Sequence, residues 1–321
     1  MVLVLGNSNL KVRKAYGSGS HSLSMKEIIV ASKVFTFMYA LLVYLTIVTL
    51  ANVNFAYGQD CPVQSFKGSA EKLDLSKIES VLTLAKVFED QAKHQTPACN
   101  ETLFVEFRKV YYKARSEYEK AVIGGFNEPY PMEAKKEKVL RSKLNQVGWD
   151  LFETEGTYYI GENGKWFLDR FNAVLTKPLM QYLTQRRLEV RERFSEDAGL
   201  LITWEDLLRR IEFWESFLKQ NPAFPLKDEI NMYLDVYIRT FLTGLDNAPI
   251  TVEYNNMALR KDVKTAFETY LKRDKGSRYY RVVEGYYKIL ERSGFVVSDE
   301  LKRYLDAQGI KSMKAVQPPT Y

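Results

Sequence analysis

Histidine is almost missing from this chain of 321 residues: there are two, His21 and His94. Only His94 lies beyond the apolar leader, so a Ser-His-Asp triad has a single residue to rest on, and metal sites built from several imidazoles are excluded by count. No G-x-x-x-x-G-K-[ST] loop and no G-x-G-x-x-G turn occurs, which leaves nucleotide binding without a motif. No G-x-S-x-G elbow offers a serine nucleophile. Cysteine is equally scarce. Cys61 and Cys99 with His94 nearby lack a fourth ligand at finger-like spacing, so neither a metal nor any other cofactor is expected.

Basic residues outnumber acidic ones, 46 to 40, and the sequence pI is near 9.0. The excess is local. Residues 1–58 hold Lys11, Arg13, Lys14, Lys26 and Lys33 against Glu27 alone. The remainder is nearly balanced and gives no phosphate-binding surface, so no nucleic-acid partner is expected. The same leader has no charge from Val34 to Gln59, with the apolar run Val34 to Leu50 behind Lys26 and Lys33. Ala56 and Gly58 put small residues at −3 and −1 of a cleavage after Gly58, which completes the three parts of a secretory signal. A start at Met25 gives a more ordinary signal. The competing reading is an uncleaved anchor through residues 34–50, since the run approaches membrane-spanning length. On either reading the body lies outside the cytoplasm, periplasmic or extracellular, where Cys61 and Cys99 are expected to form one disulfide.

The rest of the chain reads as helices. Residues 60–73 look like a linker. A helix is expected from about Leu75, capped by Asp74 or Ser76, and a second follows Pro97 with Asn100 as its cap. After Gly124-Gly125 and the loop Glu128 to Pro131 comes a charged helix, closing a helical block at 59–148. Residues 149–168 break the helical period, within a segment, 149–177, read as an aromatic and glycine-rich loop and a connecting helix. There Tyr158-Tyr159-Ile160 and Lys165-Trp166-Phe167 flank Gly161-Glu162-Asn163-Gly164, read as either a small β-hairpin near 158–167 or a loop capping a helix from Lys165. After Thr176, Pro178 is expected at the first position of the next helix, whose Arg186, Arg187, Glu189, Arg191, Glu192 and Arg193 read as a solvated face.

The clearest stretch is Thr203 to Thr243. Thr203 and Asp206 fit a capping box, and Trp204, Leu207, Leu208, Ile211, Trp214 and Leu218 share one helix face. Asn221-Pro222 ends this helix. A second helix carries Ile230, Tyr233, Leu234, Tyr237, Ile238 and Phe241, with Gly244 as its stop. A looser copy follows at a constant offset. Trp214 to Lys219 match Phe267 to Lys272, and Ile230, Tyr233, Leu234 and Tyr237 fall on Val283, Tyr286, Tyr287 and Leu290. The pattern F-x-x-[YF]-L-K, a short turn and an aromatic helix resembles tetratricopeptide-like helical-repeat proteins over about residues 203–294. The spacing exceeds that family's usual period of about 34 residues, and its small-residue signature is absent. The resemblance implies a scaffold-like fold and carries over no functional residue. The fold expected is therefore mainly α: a bundle, then stacked helical hairpins over 178–308, with a loose tail at 309–321.

Carboxylates are the one catalytic resource left. Glu205, Asp206, Glu212 and Glu215 share a helix, and Glu153, Glu155 and Glu162 surround the aromatic loop. Paired acids cleave glycosides, but Arg209 and Arg210 sit at ion-pair spacing from the first set. The tyrosine doublets at 111–112, 158–159, 279–280 and 286–287 suit wet helix seams. Tyr158, Tyr159 and Trp166 are the residues expected to meet a ligand, if any of these aromatics does. The function expected is a non-enzymatic envelope protein that engages protein or peptide, with a glycan hydrolase or a membrane-tethered structural protein as alternatives.

Overall fold

A computed structural model describes residues 61–123, 130–154, 156–252, 257–273 and 275–310. The leader, its cleavage site, Gly124-Gly125, Glu155 and residues 311–321 lie outside them. The chain divides between Asp60 and Cys61, and all the described residues fall in the second unit. They form a mainly helical fold with three small two-stranded antiparallel ribbons.

The first block holds α1 (Val63–Ala70), α2 (Ile78–Ala92), α3 (Pro97–Val122) and α4 (Ala134–Asn145). Three expectations are corrected here. Residues 63–70 are a helix and not a linker: Phe66 and Ala70, one turn apart, are buried against α2 and α3, and two such residues give too little periodicity to read. Asp74 does not cap a helix at Leu75. Its carboxylate accepts from the Ser76 amide and hydroxyl, closing a turn that delays α2 to Ile78. The α3 cap is Thr96, whose oxygen accepts from Cys99 N, with Pro97 at the first helical position. Asn100 instead donates to Val174 O at 3.0 Å, tying α3 to a distant turn.

The disulfide Cys61–Cys99 is formed, with Cα atoms 5.5 Å apart. It joins the start of α1 to the first turn of α3. Between α2 and α3 the core is a phenylalanine nest. Phe88 meets Phe104, Phe107 and Phe171 with ring centroids at 5.9, 5.2 and 4.8 Å.

The hairpin lies earlier than expected. β1 (Trp149–Thr154) pairs with β2 (Thr157–Glu162) in the register Trp149↔Glu162, Leu151↔Ile160. Lys165, Trp166 and Phe167 belong to the next helix, α5 (Gly164–Phe171), capped by Asn163. The glycines that suggested a turn have other reasons. A Cβ on Gly161 would stand 2.5 Å from the Phe152 ring across the ribbon, and one on Gly164 would press on Arg187 at 3.2 Å.

Next come α6 (Lys177–Arg191), the ribbon β3 (Ser195–Glu196)–β4 (Gly199–Leu200), α7 (Trp204–Gln220) and α8 (Lys227–Thr243). Thr176 caps α6, with Pro178 one position further in than expected. The Thr203–Asp206 capping box is present in full, with both reciprocal bonds made, and Gly244 stops α8 at φ 72°. A third ribbon, β5 (Gly244–Leu245)–β6 (Ala248–Pro249), leads to α9 (Lys261–Leu271), α10 (Tyr280–Arg292) and α11 (Asp299–Ala307).

The helices pack as α5 on α6, α7 on α8 and α9 on α10, with α7 also against α9 and α11 on α10. Trp214, Ile230, Tyr237 and Phe267, Val283, Leu290, which the offset aligns as two sets, are all buried. The seams between neighbouring hairpins are polar as well as apolar. Tyr279 donates to Asp235 from α10 to α8, and Arg273 at the end of α9 pairs with Glu212 on α7. The turns of the second and third ribbons are tied, with Asn247 N bonded to Ala198 O at 2.9 Å.

Candidate functional site

The three aromatics singled out in the sequence are all engaged in packing, and on different faces. Tyr158 points inward from β2, and its hydroxyl accepts from Met132 N at 3.1 Å. Tyr159, the next residue and therefore on the opposite face, stacks on Phe152 at 5.5 Å. Trp166 stacks on Tyr111 at 5.9 Å and donates to Gln146 O at 3.0 Å. The tyrosine doublets also serve the seams: Tyr111 donates to Val147 and Gly148 carbonyls, and Tyr287 to Glu268. Of the carboxylates around the loop, Glu153 accepts from Tyr130 at 3.0 Å, and Glu162 is buried, accepting from Tyr112. His94 is exposed. Among the described residues no group of three or more His, Cys, Asp or Glu side chains is placed to hold a metal ion.

The chemistry that sequence reasoning missed is a buried polar chain between the first block and the hairpins. Arg108 on α3 places Nη1 2.8 Å and Nη2 3.3 Å from the two oxygens of Glu229 on α8. The same carboxylate accepts from Tyr182 at 2.5 Å and from Tyr233 at 2.6 Å. Burial alone would raise the Glu229 carboxyl. The Arg108 guanidinium and these donors outweigh it and hold the pKa below its ordinary value. Burial drives the Tyr182 and Tyr112 phenols the other way, well up, so both remain protonated donors.

A second node lies one turn along. Glu189 on α6 is only 4% exposed. It accepts from Arg186 at 2.6 Å, Gln185 at 2.9 Å, Trp214 at 2.7 Å and Tyr237 at 3.0 Å, so one carboxylate joins α6, α7 and α8. The solvated-face reading of α6 is corrected at this point. Glu189 and much of Arg186 turn inward, while Leu188 is exposed. Arg210 is likewise buried, donating to Glu192 O, whereas its neighbour Arg209 makes the exposed pairs with Glu205 and Asp206 that the spacing suggested. A signal was present. Arg108 and Arg115 interrupt the apolar face of α3 at one-heptad spacing, and a charge on such a face needs a buried partner.

An open groove of about 590 Å³ runs between α6 and α7. Gln181, Gln185 and Gln220 line one end, Leu188 and Phe213 the middle, and Glu192, Asp206 and Arg209 the other end. A second groove of about 780 Å³ lies on the other flank of α7, against α9 and the ribbons. Its described lining includes Trp204, Leu208 and Ala266, with Thr265, Thr269, Glu205, Arg260 and Asp262 around them. The acids on α7 behave differently along its length. Asp206 is lowered by its hydrogen bond from Thr203 and by Arg209, whereas Glu212 and Glu215 are raised by burial, which Arg273 and Ser277 only partly offset. Ser277 donates to Glu215 at 2.5 Å, and its own oxygen is shared with Tyr270.

Among the described residues no helix is long and apolar enough to cross a membrane. Compared with protein families, with curated proteins and with solved structures, the chain matches none. These comparisons give no support to the likeness to tetratricopeptide-type repeats expected over residues 203–294.

Proposed function

We propose that this chain is an exported, non-enzymatic binding or scaffold protein of the cell envelope. It engages a protein or peptide on the surface either side of α7, in a repeat-like stack of helical hairpins. The observation that carries the reading is that two open grooves flank one helix while the buried ionisable groups around it, Arg108, Glu189, Arg210 and Glu229, are bound into bridges between helices. Grooves between stacked helices are where such folds take their ligands. The disulfide supports an oxidising compartment, and export by the leader is its natural complement. The test is site-specific photocrosslinking in the native host from Gln220 and from Thr265, which line the two grooves. A discrete protein adduct from at least one position, absent when the crosslinker sits at exposed Lys143, is expected. No adduct from either position overturns the reading.

One observation favours a second reading, glycan hydrolysis by paired carboxylates. Asp206 and Glu212 line the same groove, one lowered and one raised, and opposed environments are how acid and base roles are divided. Both are tied into structural contacts, Asp206 as the partner of the α7 cap and Glu212 to Arg273. Release of reducing ends from cell-wall glycan by the purified protein, lost in Glu212→Gln, would move the assignment to an enzyme.

A further inference from the structure

The last hairpin ends in a surface cut to one side chain. Gly285 lies inside α10, where a glycine weakens the helix and gives nothing back locally. Its reason is in α11. A Cβ on Gly285 would stand 2.7 Å from Cζ and 3.1 Å from Cε2 of Tyr304, so the missing side chain is the seat of that ring. The Tyr304 hydroxyl donates to Val282 O at 3.0 Å, with Arg281 O at 3.4 Å beside it. Leu301 and Leu305, on the same face of α11 as the ring, are buried against the core.

Apart from this seat, α11 is lightly held. It is nine residues long, too short to stand as a helix alone in water. Its cap residue, Ser298, makes no side-chain capping bond. It packs chiefly on α10, and Glu300 pairs with Arg292 in the open, with both side chains more than half exposed. The connection from α10 is short and strained. Gly294 and Phe295 are both left-handed, and the φ of 62° at Phe295 is one that a bulky side chain resists. The chain is anchored again at Val297, whose amide donates to Met257 O at 3.0 Å. Only Ser298 lies between that anchor and α11, so one residue is the pivot on which the helix would turn.

An α11 that leaves its seat bares a notch shaped for tyrosine. The helix that fits this notch is α11 itself, and every further copy of the chain brings one. Contacts made in exchange are the same as those given up, and strain in a short connection favours exchange over closure. We propose that this chain pairs with a second copy by exchanging α11, each Tyr304 seating over Gly285 of the other copy. The surface shares no residue with the described lining of the grooves beside α7, and the pairing does not depend on the binding reading above.

The test is sedimentation of two variants of the purified protein, alone and mixed. Tyr304→Ala empties the seat and Gly285→Ala fills it. Each variant alone carries the same mismatch whether closed or exchanged, so neither is expected to pair more than the parent. A one-to-one mixture is expected to form heterodimers at concentrations at least about tenfold lower, because exchange puts an intact Tyr304 over an intact Gly285 and mends one mismatch in each pair. The parent mixed with either variant gains nothing by exchange and is the control. A mixture that sediments as its separate components, with both variants melting cooperatively, overturns the proposal. Heterodimers that the control matches overturn it too. A labelled peptide of residues 298–310 supplies a second measurement that needs only one variant. It is expected to bind Tyr304→Ala at least about tenfold more tightly than the parent, whose seat is filled by its own α11. Equal binding to the two, or no binding to Tyr304→Ala, is also fatal to the exchange.

Discussion

At the residue scale the governing feature is that one carboxylate serves several helices. Glu229 compensates Arg108, whose guanidinium is buried with Nε making no bond in the structure. Removing one side of a buried pair strands the other charge, so Glu229→Ala is expected to cost roughly 3–5 kcal/mol in denaturant unfolding, and Glu229→Gln less. The pH dependence has two opposed parts. Glu229 is lowered in the folded protein. It therefore contributes stability that is present above the ordinary glutamate value and lost as pH falls through its folded value. Glu212 and Glu215 are raised by burial. Their contribution is present below the ordinary value and lost as pH rises through their folded values. Thermal melts across the acid range are thus expected to show a maximum. Glu215→Gln raises the melting temperature at neutral pH and flattens the neutral side, while Glu229→Gln flattens the acid side. A Glu215→Gln variant that melts lower than the parent at neutral pH, with Ser277 still ordered, would contradict the burial account.

Elements were legible in the sequence in proportion to how local their causes are. The α7–α8 hairpin could be read because a cap, an apolar face and a stop all lie within it. The cap is open to test: Thr203→Ala removes the acceptor for Asp206 N and the hydroxyl that donates to the Asp206 carboxylate, leaving only the bond from its own backbone N–H, and is expected to cost about 1 kcal/mol by thermal melting. What could not be read had its cause elsewhere in the chain. The glycines at 161 and 164 looked like a turn, yet each makes room for a side chain from another element. Glu189 looked solvated because its partners Trp214 and Tyr237 are 25 and 48 residues away. The grooves flanking α7 arise between helices and leave no trace in any one of them. The ribbon carries its own prediction. Gly161→Ala is expected to displace Phe152 from its stack on Tyr159, costing about 1 kcal/mol. In a Phe152→Ala background the same change is expected to be nearly neutral, and a full additive cost there would mean the glycine is needed for some other reason.

Across the whole molecule, two kinds of fastening divide the labour. The hairpins from α6 to α10 are sequential neighbours held by short-range packing and seam bonds such as Tyr279 to Asp235 and Arg273 to Glu212. The first block is fastened by long-range ties. Cys61–Cys99 closes 38 residues, Arg170 pairs with Glu89, Asn100 reaches Val174, and Arg108 reaches Glu229 across 121 residues. Loop closure makes the disulfide worth roughly 3–4 kcal/mol to the block it encloses. Its loss should act locally, because α1 is short and packs mainly on α2 and α3. In a Cys61→Ser, Cys99→Ser variant, hydrogen exchange is expected to accelerate in α1 and at the start of α3 while α7 and α8 keep their protection. Uniform acceleration through α7–α10 would instead mean that the Arg108–Glu229 tie couples the two regions into one cooperative unit. Repeating the exchange in Glu229→Gln decides between these outcomes: if the coupling runs through that ion pair, the variant should confine the effect of the lost disulfide to the first block again.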